Sequence, residues 1–193
     1  MSKNRTFPIY TIGHSHRTLD EFIRLLRAHK ISTVVDIRRF PGSRKFPHFN
    51  RDNLEVWLPK HGMSYVWLQG LGGFRHGVKR GDSPHKGLAS PGLRAYADYM
   101  DSDEFARAVS RLIALAQQSR TAYACAEAVY WRCHRMILSD YLVAQGFSVL
   151  HILGSEEPIS HRLTDGAVVT TDGRVTYPTR EDVQRDLFAH SGS

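Results

Sequence analysis

Five short apolar runs, each followed by a polar loop and, in most cases, a helical pattern, constrain this chain more than any other feature. They are PIYTI (8–12), STVVDI (32–37), SYVWL (64–68), TAYACA (121–126) and FSVLHIL (147–153). Their length and their β-branched and aromatic content suit buried strands. After the first run, Leu19, Phe22, Ile23, Leu25 and Leu26 form a helical stripe. Thr18 followed by Glu21 gives a capping-box pattern at its start. A helix is expected from Asn50 to His61, stopped by Gly62. A helical region is expected from Pro91 to Gln118, broken near Ser102, where SDEF reads as a fresh N-cap. A further helix is expected over 130–145, ending at Gly146. The turn signals TDGA and TDGR around VVTT and VTYP predict a C-terminal hairpin.

Strands alternating with helices pack as a parallel sheet covered on both faces, with right-handed crossovers. The expected architecture is a three-layer, Rossmann-like α/β domain with a mainly parallel sheet of about five strands and a C-terminal hairpin. It is expected to span residues 1–193 as a single domain. Neither an internal repeat nor a low-complexity linker interrupts it.

In such a fold, ligands bind beyond the carboxyl ends of the strands. The polar loops of this chain fall there. After the first strand come Gly13, His14, Ser15 and His16. After the second come Arg38, Arg39, Arg44, Lys45 and His48, behind Asp36 at the strand end. After the third come Arg75, His76, Lys79 and Arg80. After the fourth come Cys125, Glu127, Arg132, Cys133, His134 and Arg135. The charge follows the same division. Residues 1–94 hold 17 Lys+Arg against 6 Asp+Glu, a net +11, and the rest hold 9 against 13, a net −4. Basic loops gathered at one edge point to an anionic partner, either a small molecule or a nucleic acid. Phe40, Phe46 and Phe49, interleaved with Arg and Lys, suit stacked bases beside phosphates or anchors that pin the loop to the core.

The only cysteines are Cys125 and Cys133. With an N-terminus that lacks the apolar core of a signal peptide, they suggest reduced thiols and a cytoplasmic location. No apolar run is long enough to cross a membrane, so no membrane partner is expected. A helix N-terminus and nearby arginines favour a thiolate. Cys125, Glu127, Cys133, His134 and Arg135 are therefore the candidate catalytic residues, with Cys125 central. Gly13, His14, Ser15, His16, Asp36, Arg38, Arg39, Arg44, Lys45 and Arg75 are the candidate anion- and substrate-binding residues. No cofactor is expected. Cys125, Cys133 and His134 are suitable metal-ligand types, but adjacent residues on one helix point about 100° apart, which disfavours a shared ion.

The motifs TIGHS, VDIRRFPGSRKFPHFN, LQGLGG, LRAYADYM, CAEAVYWRCHR and the closing HRLT…YP occur in an order that resembles the bacterial and archaeal family DUF488, a domain of unknown function. The likeness covers residues 8–178. It implies a three-layer α/β domain with these motifs clustered, and it implies no reaction. VDIR, a cysteine at a strand end and an Arg-bearing helix also resemble rhodanese-like sulfurtransferases and their phosphatase relatives. Here, however, Cys125 and Arg132 are joined by the bulky AEAVYW rather than by a small, Gly-rich loop. Dinucleotide-binding, Walker, esterase-elbow and zinc-deaminase motifs do not occur.

Three functions fit these residues: an enzyme acting on a phosphate-bearing ligand, a non-catalytic nucleic-acid-binding module, and a thiol-based sulfurtransferase or redox protein.

Overall fold

A computed structural model of the chain describes residues 7–75 and 83–189, with side chains described as far as Gln184. His76, Lys79 and Arg80 lie outside the described residues. The elements run β1 (Pro8–Gly13), α1 (Leu19–Ala28), β2 (Thr33–Asp36), α2 (Arg51–Lys60), β3 (Ser64–Trp67), α3 (Pro91–Tyr99), α4 (Asp103–Gln118), β4 (Thr121–Cys125), α5 (Arg135–Ala144), β5 (Ser148–Ile152), β6 (Ile159–Ser160), β7 (Val168–Val169), β8 (Val175–Thr176) and α6 (Arg180–Ala189). Strands β1 to β6 form one sheet in the order β3-β2-β4-β1-β5-β6, and β7 and β8 form the hairpin. Only β6 runs antiparallel in the large sheet.

The inner strands are buried on both faces, which is why their sequences read as continuous apolar runs. Their pleat divides the core. Tyr10, Ile12, Val34, Ala122 and Ala124 face Phe22 and Leu26 of α1 and Leu54 and Leu58 of α2. Ile9, Val35, Tyr123, Cys125 and Val149 face Tyr96 of α3, Phe105 and Leu112 of α4, and Ile137 and Leu138 of α5. The capping box at α1 forms as expected: Glu21 N–H donates to Thr18 Oγ1 at 3.2 Å, and Thr18 N–H to Glu21 Oε2 at 2.7 Å. Ser102 caps α4 by accepting from Phe105 N–H at 3.2 Å.

Two elements exceed the sequence-based expectation and one starts late. Strand β6 has two residues, too few to carry a periodicity. Helix α6 is announced by Thr179, whose hydroxyl accepts from Asp182 N–H at 3.2 Å. Helix α5 begins at Arg135 rather than at Tyr130. Tyr130–Arg132 make one tight 3-10 turn instead, and Cys133 is extended, with φ −133° and ψ 153°.

Helix α1 follows β1 on one face of the sheet, and α5 follows β4 on the other. Because β1 and β4 are neighbours, the two loops that leave them diverge. That is the switch point at which open α/β sheets make room for a ligand. The register aligns the strand ends there, with Gly13 beside Cys125 and Asp36 beside Ala124.

Candidate functional site

The floor of the crevice is set by a close approach between the loops after β1 and β4. His14 N–H donates to Cys125 O at 2.9 Å and Ser15 N–H to Ala126 O at 2.8 Å. Gly13 permits this, because a Cβ at that position would lie 1.7 Å from Glu127 O. The fully buried Arg135 ties the same loop down. Its Nη2 donates to Glu127 O at 2.6 Å and to Ala128 O at 3.3 Å, and its Nη1 to Thr11 Oγ1 at 3.1 Å. Arg135 therefore positions residues 126–129 from beneath and does not line the cleft. The Glu127 side chain is exposed at the cleft wall.

On the β2 side, Asp36 and Arg38 form a buried bidentate pair. Arg38 Nε lies 2.9 Å from Oδ1, and Nη2 lies 2.5 Å from Oδ2. Tyr65 OH donates to Asp36 Oδ2 at 2.7 Å, and Arg38 Nη2 also donates to Phe49 O at 2.7 Å. Arg38 Nη1 donates to His14 Nε2 at 3.2 Å, while His14 Nδ1–H donates to Ser15 O at 3.0 Å, which fixes the neutral tautomer. Burial, reinforced by the Arg38 charge, lowers the His14 pKa to about 4. The ring stacks on Phe49 at 4.1 Å between centroids, so Phe49 anchors its loop to the core.

Above this floor, Cys125, Cys133 and His134 meet. His134 Nε2–H donates to Ile37 O at 3.2 Å, which leaves Nδ1 facing both sulfurs, 3.5 Å from Cys133 Sγ and 3.9 Å from Cys125 Sγ. The edge of Tyr96 packs on the imidazole at 5.0 Å between centroids. Gly73 lies so close to the ring that a Cβ there would be 2.3 Å from Nδ1. The hydrogen bond from Cys125 holds the Cys133 sulfur well below the ordinary cysteine range, aided by His134 and Arg135. The reciprocal contact, together with burial, pushes Cys125 up. The two sulfurs are therefore inequivalent, with the Cys133 thiol the more acidic of the pair.

The three side chains open onto a cleft of about 400 Å³ that is also lined by Arg38, Arg39, Phe40, Glu127 and Arg132. A second chamber of about 640 Å³ shares Arg38, Phe40, Ala126, Glu127 and Arg132 with the first and adds His14, Ser15, His16 and Lys45. The predicted residues therefore divide by placement. His14, Ser15, His16, Arg38, Arg39, Lys45, Cys125, Glu127, Cys133 and His134 line this space. Gly13, Asp36 and Arg135 build it from behind. Arg44 is exposed and lines neither chamber. Arg75 points away: its guanidinium lies 3.4 Å over the Tyr99 ring, and its Nη2 donates to Gly70 O at 2.9 Å.

Sequence reasoning overlooked Gly73 and Phe74 as wall residues, together with Ser90, Gly92 and Leu93 at the start of α3. The paired glycines of LQGLGG were the available signal for the first of these. Phe40 and Phe74 are 68% and 65% exposed and meet edge to face with ring centroids 6.0 Å apart, which puts two solvent-exposed aromatic rings on the cleft rim.

Fold and site together define a class: an α/β protein with a paired-thiol and imidazole group at the switch point of its sheet, under a basic, aromatic rim. The chain belongs to the family described as domain of unknown function DUF488, whose model matches residues 18–142. That match starts in the capped turn before α1 and ends within α5, so it contains Asp36, Arg38, both cysteines and His134. No curated protein and no solved structure matches the chain.

Proposed function

We propose that this protein is an enzyme acting on a phosphate-bearing ligand, a nucleotide unit either free or within a single strand. One observation carries the reading. The buried thiol–imidazole group and the basic, aromatic rim open onto the same continuous space, joined through Arg38, Phe40, Glu127 and Arg132. Arg39, Arg132 and Lys45 supply cations for phosphate. Phe40 and Phe74 supply faces on which a base can stack. Beneath them, the thiols of Cys125 and Cys133 and the His134 imidazole supply the reactive end. Both cysteines are free, which agrees with a cytoplasmic site of action.

A second reading, thiol redox or sulfur transfer, is favoured by the approach of both sulfurs to a single imidazole nitrogen. A third, binding without catalysis, would leave the thiols unused. Among the described residues no helix is long and apolar enough to cross a membrane.

The test is fluorescence anisotropy with a labelled single-stranded oligonucleotide across a salt series. Binding should weaken with salt and should weaken further in Arg39→Ala and Arg132→Ala. Turnover, once a substrate is found, should vanish in Cys133→Ser while binding persists. Absence of binding at low salt, or affinity indifferent to both arginines, would refute the ligand class. A persulfide mass on either cysteine after treatment with a sulfur donor would favour the second reading.

A further inference from the structure

We propose that Cys125, Cys133 and His134 are the protein ligands of an open metal site that takes a zinc-class divalent ion. This rests on the reading of the cleft as a ligand site only for what the ion would meet, not for whether the ion binds.

The three ligand atoms lie within 4.8 Å of one another, with Nδ1 to Sγ separations of 3.5 and 3.9 Å. Zinc–sulfur bonds of about 2.3 Å and zinc–nitrogen bonds of about 2.0–2.1 Å, set at tetrahedral angles, require sulfur–nitrogen edges of about 3.6 Å. The observed edges fall on either side of that value. Those two edges need shifts of only a few tenths of an ångström to meet an ion, and the sulfur–sulfur edge, within 4.8 Å, has about 3.8 Å to reach.

The imidazole is oriented as a ligand would be. His134 Nε2–H is committed to Ile37 O, so the ring presents an Nδ1 lone pair to the two sulfurs. A backbone carbonyl on the far nitrogen is the usual outer partner of a metal-bound histidine, fixing its tautomer and its rotation. The objection from sequence, that adjacent helical residues diverge, does not hold here. Cys133 is extended and His134 begins the helical turn, so their side chains converge.

Donor chemistry selects the ion. Two sulfurs and an imidazole, with no carboxylate in the set, suit zinc over magnesium or calcium. Two thiolates and a neutral imidazole also balance a dication, a favourable state for side chains that are 7%, 4% and 9% exposed. Three protein ligands leave a fourth position open, as in catalytic rather than structural zinc sites. The cleft wall formed by Arg39, Glu127 and Arg132 surrounds the space from which a water or a ligand oxygen would enter.

Reduced protein, stripped with a chelator and kept anaerobic, is titrated with Co2+ and followed by absorption. The expected result is one equivalent bound per chain, with a near-ultraviolet thiolate-to-cobalt charge-transfer band, tetrahedral visible bands, and displacement by Zn2+. The charge-transfer band should be lost in the Cys125→Ser, Cys133→Ser double variant and the visible bands altered in His134→Ala. An absent charge-transfer band in the parent protein, or a full-strength one in the double variant, would overturn the proposal. If the variants fail to fold, the parent protein still decides: one equivalent of Zn2+ must protect both thiols from alkylation, and unprotected thiols overturn it. Oligonucleotide binding is measured on the same metal-free protein. Binding without cobalt uptake removes only the metal site, and cobalt uptake without binding removes only the ligand class.

Discussion

Two buried, neutral imidazoles should make this fold acid-sensitive well above the pH at which carboxylates protonate. His151 is completely buried, stacked on Tyr130 at 3.4 Å between centroids, with Nε2 2.8 Å from His161 Nδ1. His161 Nε2 in turn lies 2.9 Å from Asp140 Oδ1, and Tyr177 OH donates to Asp140 Oδ2 at 2.7 Å. With His161 Nε2–H given to Asp140 and His151 Nε2–H given to His161, His151 Nδ1 has no partner among the described residues. Burial first, with the nearby Arg135 charge adding to it, lowers the His151 pKa from 6.5 to about 3, and His14 is lowered to about 4. Both folded values lie below the unfolded one, so the unfolded chain takes up these protons first. Stability is complete above the unfolded pKa and falls as the pH drops through 6.5 towards the folded values. At pH 5 each histidine has removed about 2 kcal/mol, together about 4 kcal/mol. That is a large share of a typical folding free energy of about 5–15 kcal/mol. The assay is urea unfolding followed by tryptophan fluorescence at several values between pH 5 and 7. Replacing His151 with Gln should lower the slope of stability against pH between 5 and 6 by about 1.2 kcal/mol per unit, whatever it does to absolute stability. An unchanged slope in the variant would refute the reasoning.

Other perturbations test the site more locally. Gly73→Ala places a methyl against the His134 ring and should displace it from the thiols, removing the Nδ1 acceptor for the Cys133 S–H and slowing iodoacetamide labelling of metal-free Cys133 on the order of tenfold, the worth of a hydrogen bond of about 1.5 kcal/mol. Arg38→Met strands the Asp36 carboxylate, which is 1% exposed, and should cost about 3–5 kcal/mol in urea unfolding. Phe40→Ala and Phe74→Ala should each weaken single-stranded oligonucleotide binding by about 1–3 kcal/mol per stacked base while leaving unfolding midpoints unchanged.

Much of this arrangement was legible in the sequence because burial on both faces writes strands as unbroken apolar runs. VVD and TAYAC announced both the strands and the polar residues at their carboxyl ends, and the parallel sheet then brought four loops to one edge. What stayed hidden depended on side-chain direction. Helix α5 is buried from Arg135 through Asp140, so no polar face showed whether Arg135 looked into the cleft or beneath it. Arg75 stands beside the cleft motifs in sequence, yet it is spent on Tyr99 and on backbone carbonyls. The Asp140–His161–His151 chain draws on α5, β5 and the segment after β6, so no local pattern reports it. Cys133 and His134 read as consecutive helical residues, and only the extended backbone at Cys133 lets them converge.

The central claim is that ligand binding and thiol chemistry share one space. The most direct measurement is the rate of iodoacetamide labelling at Cys133 in native, metal-free protein at neutral pH, read by peptide mass spectrometry with and without saturating single-stranded oligonucleotide. The account predicts labelling of Cys133 in the folded state and clear protection by the oligonucleotide. A thiol that stays inert until the chain unfolds, or a labelling rate that bound oligonucleotide does not change, would contradict it.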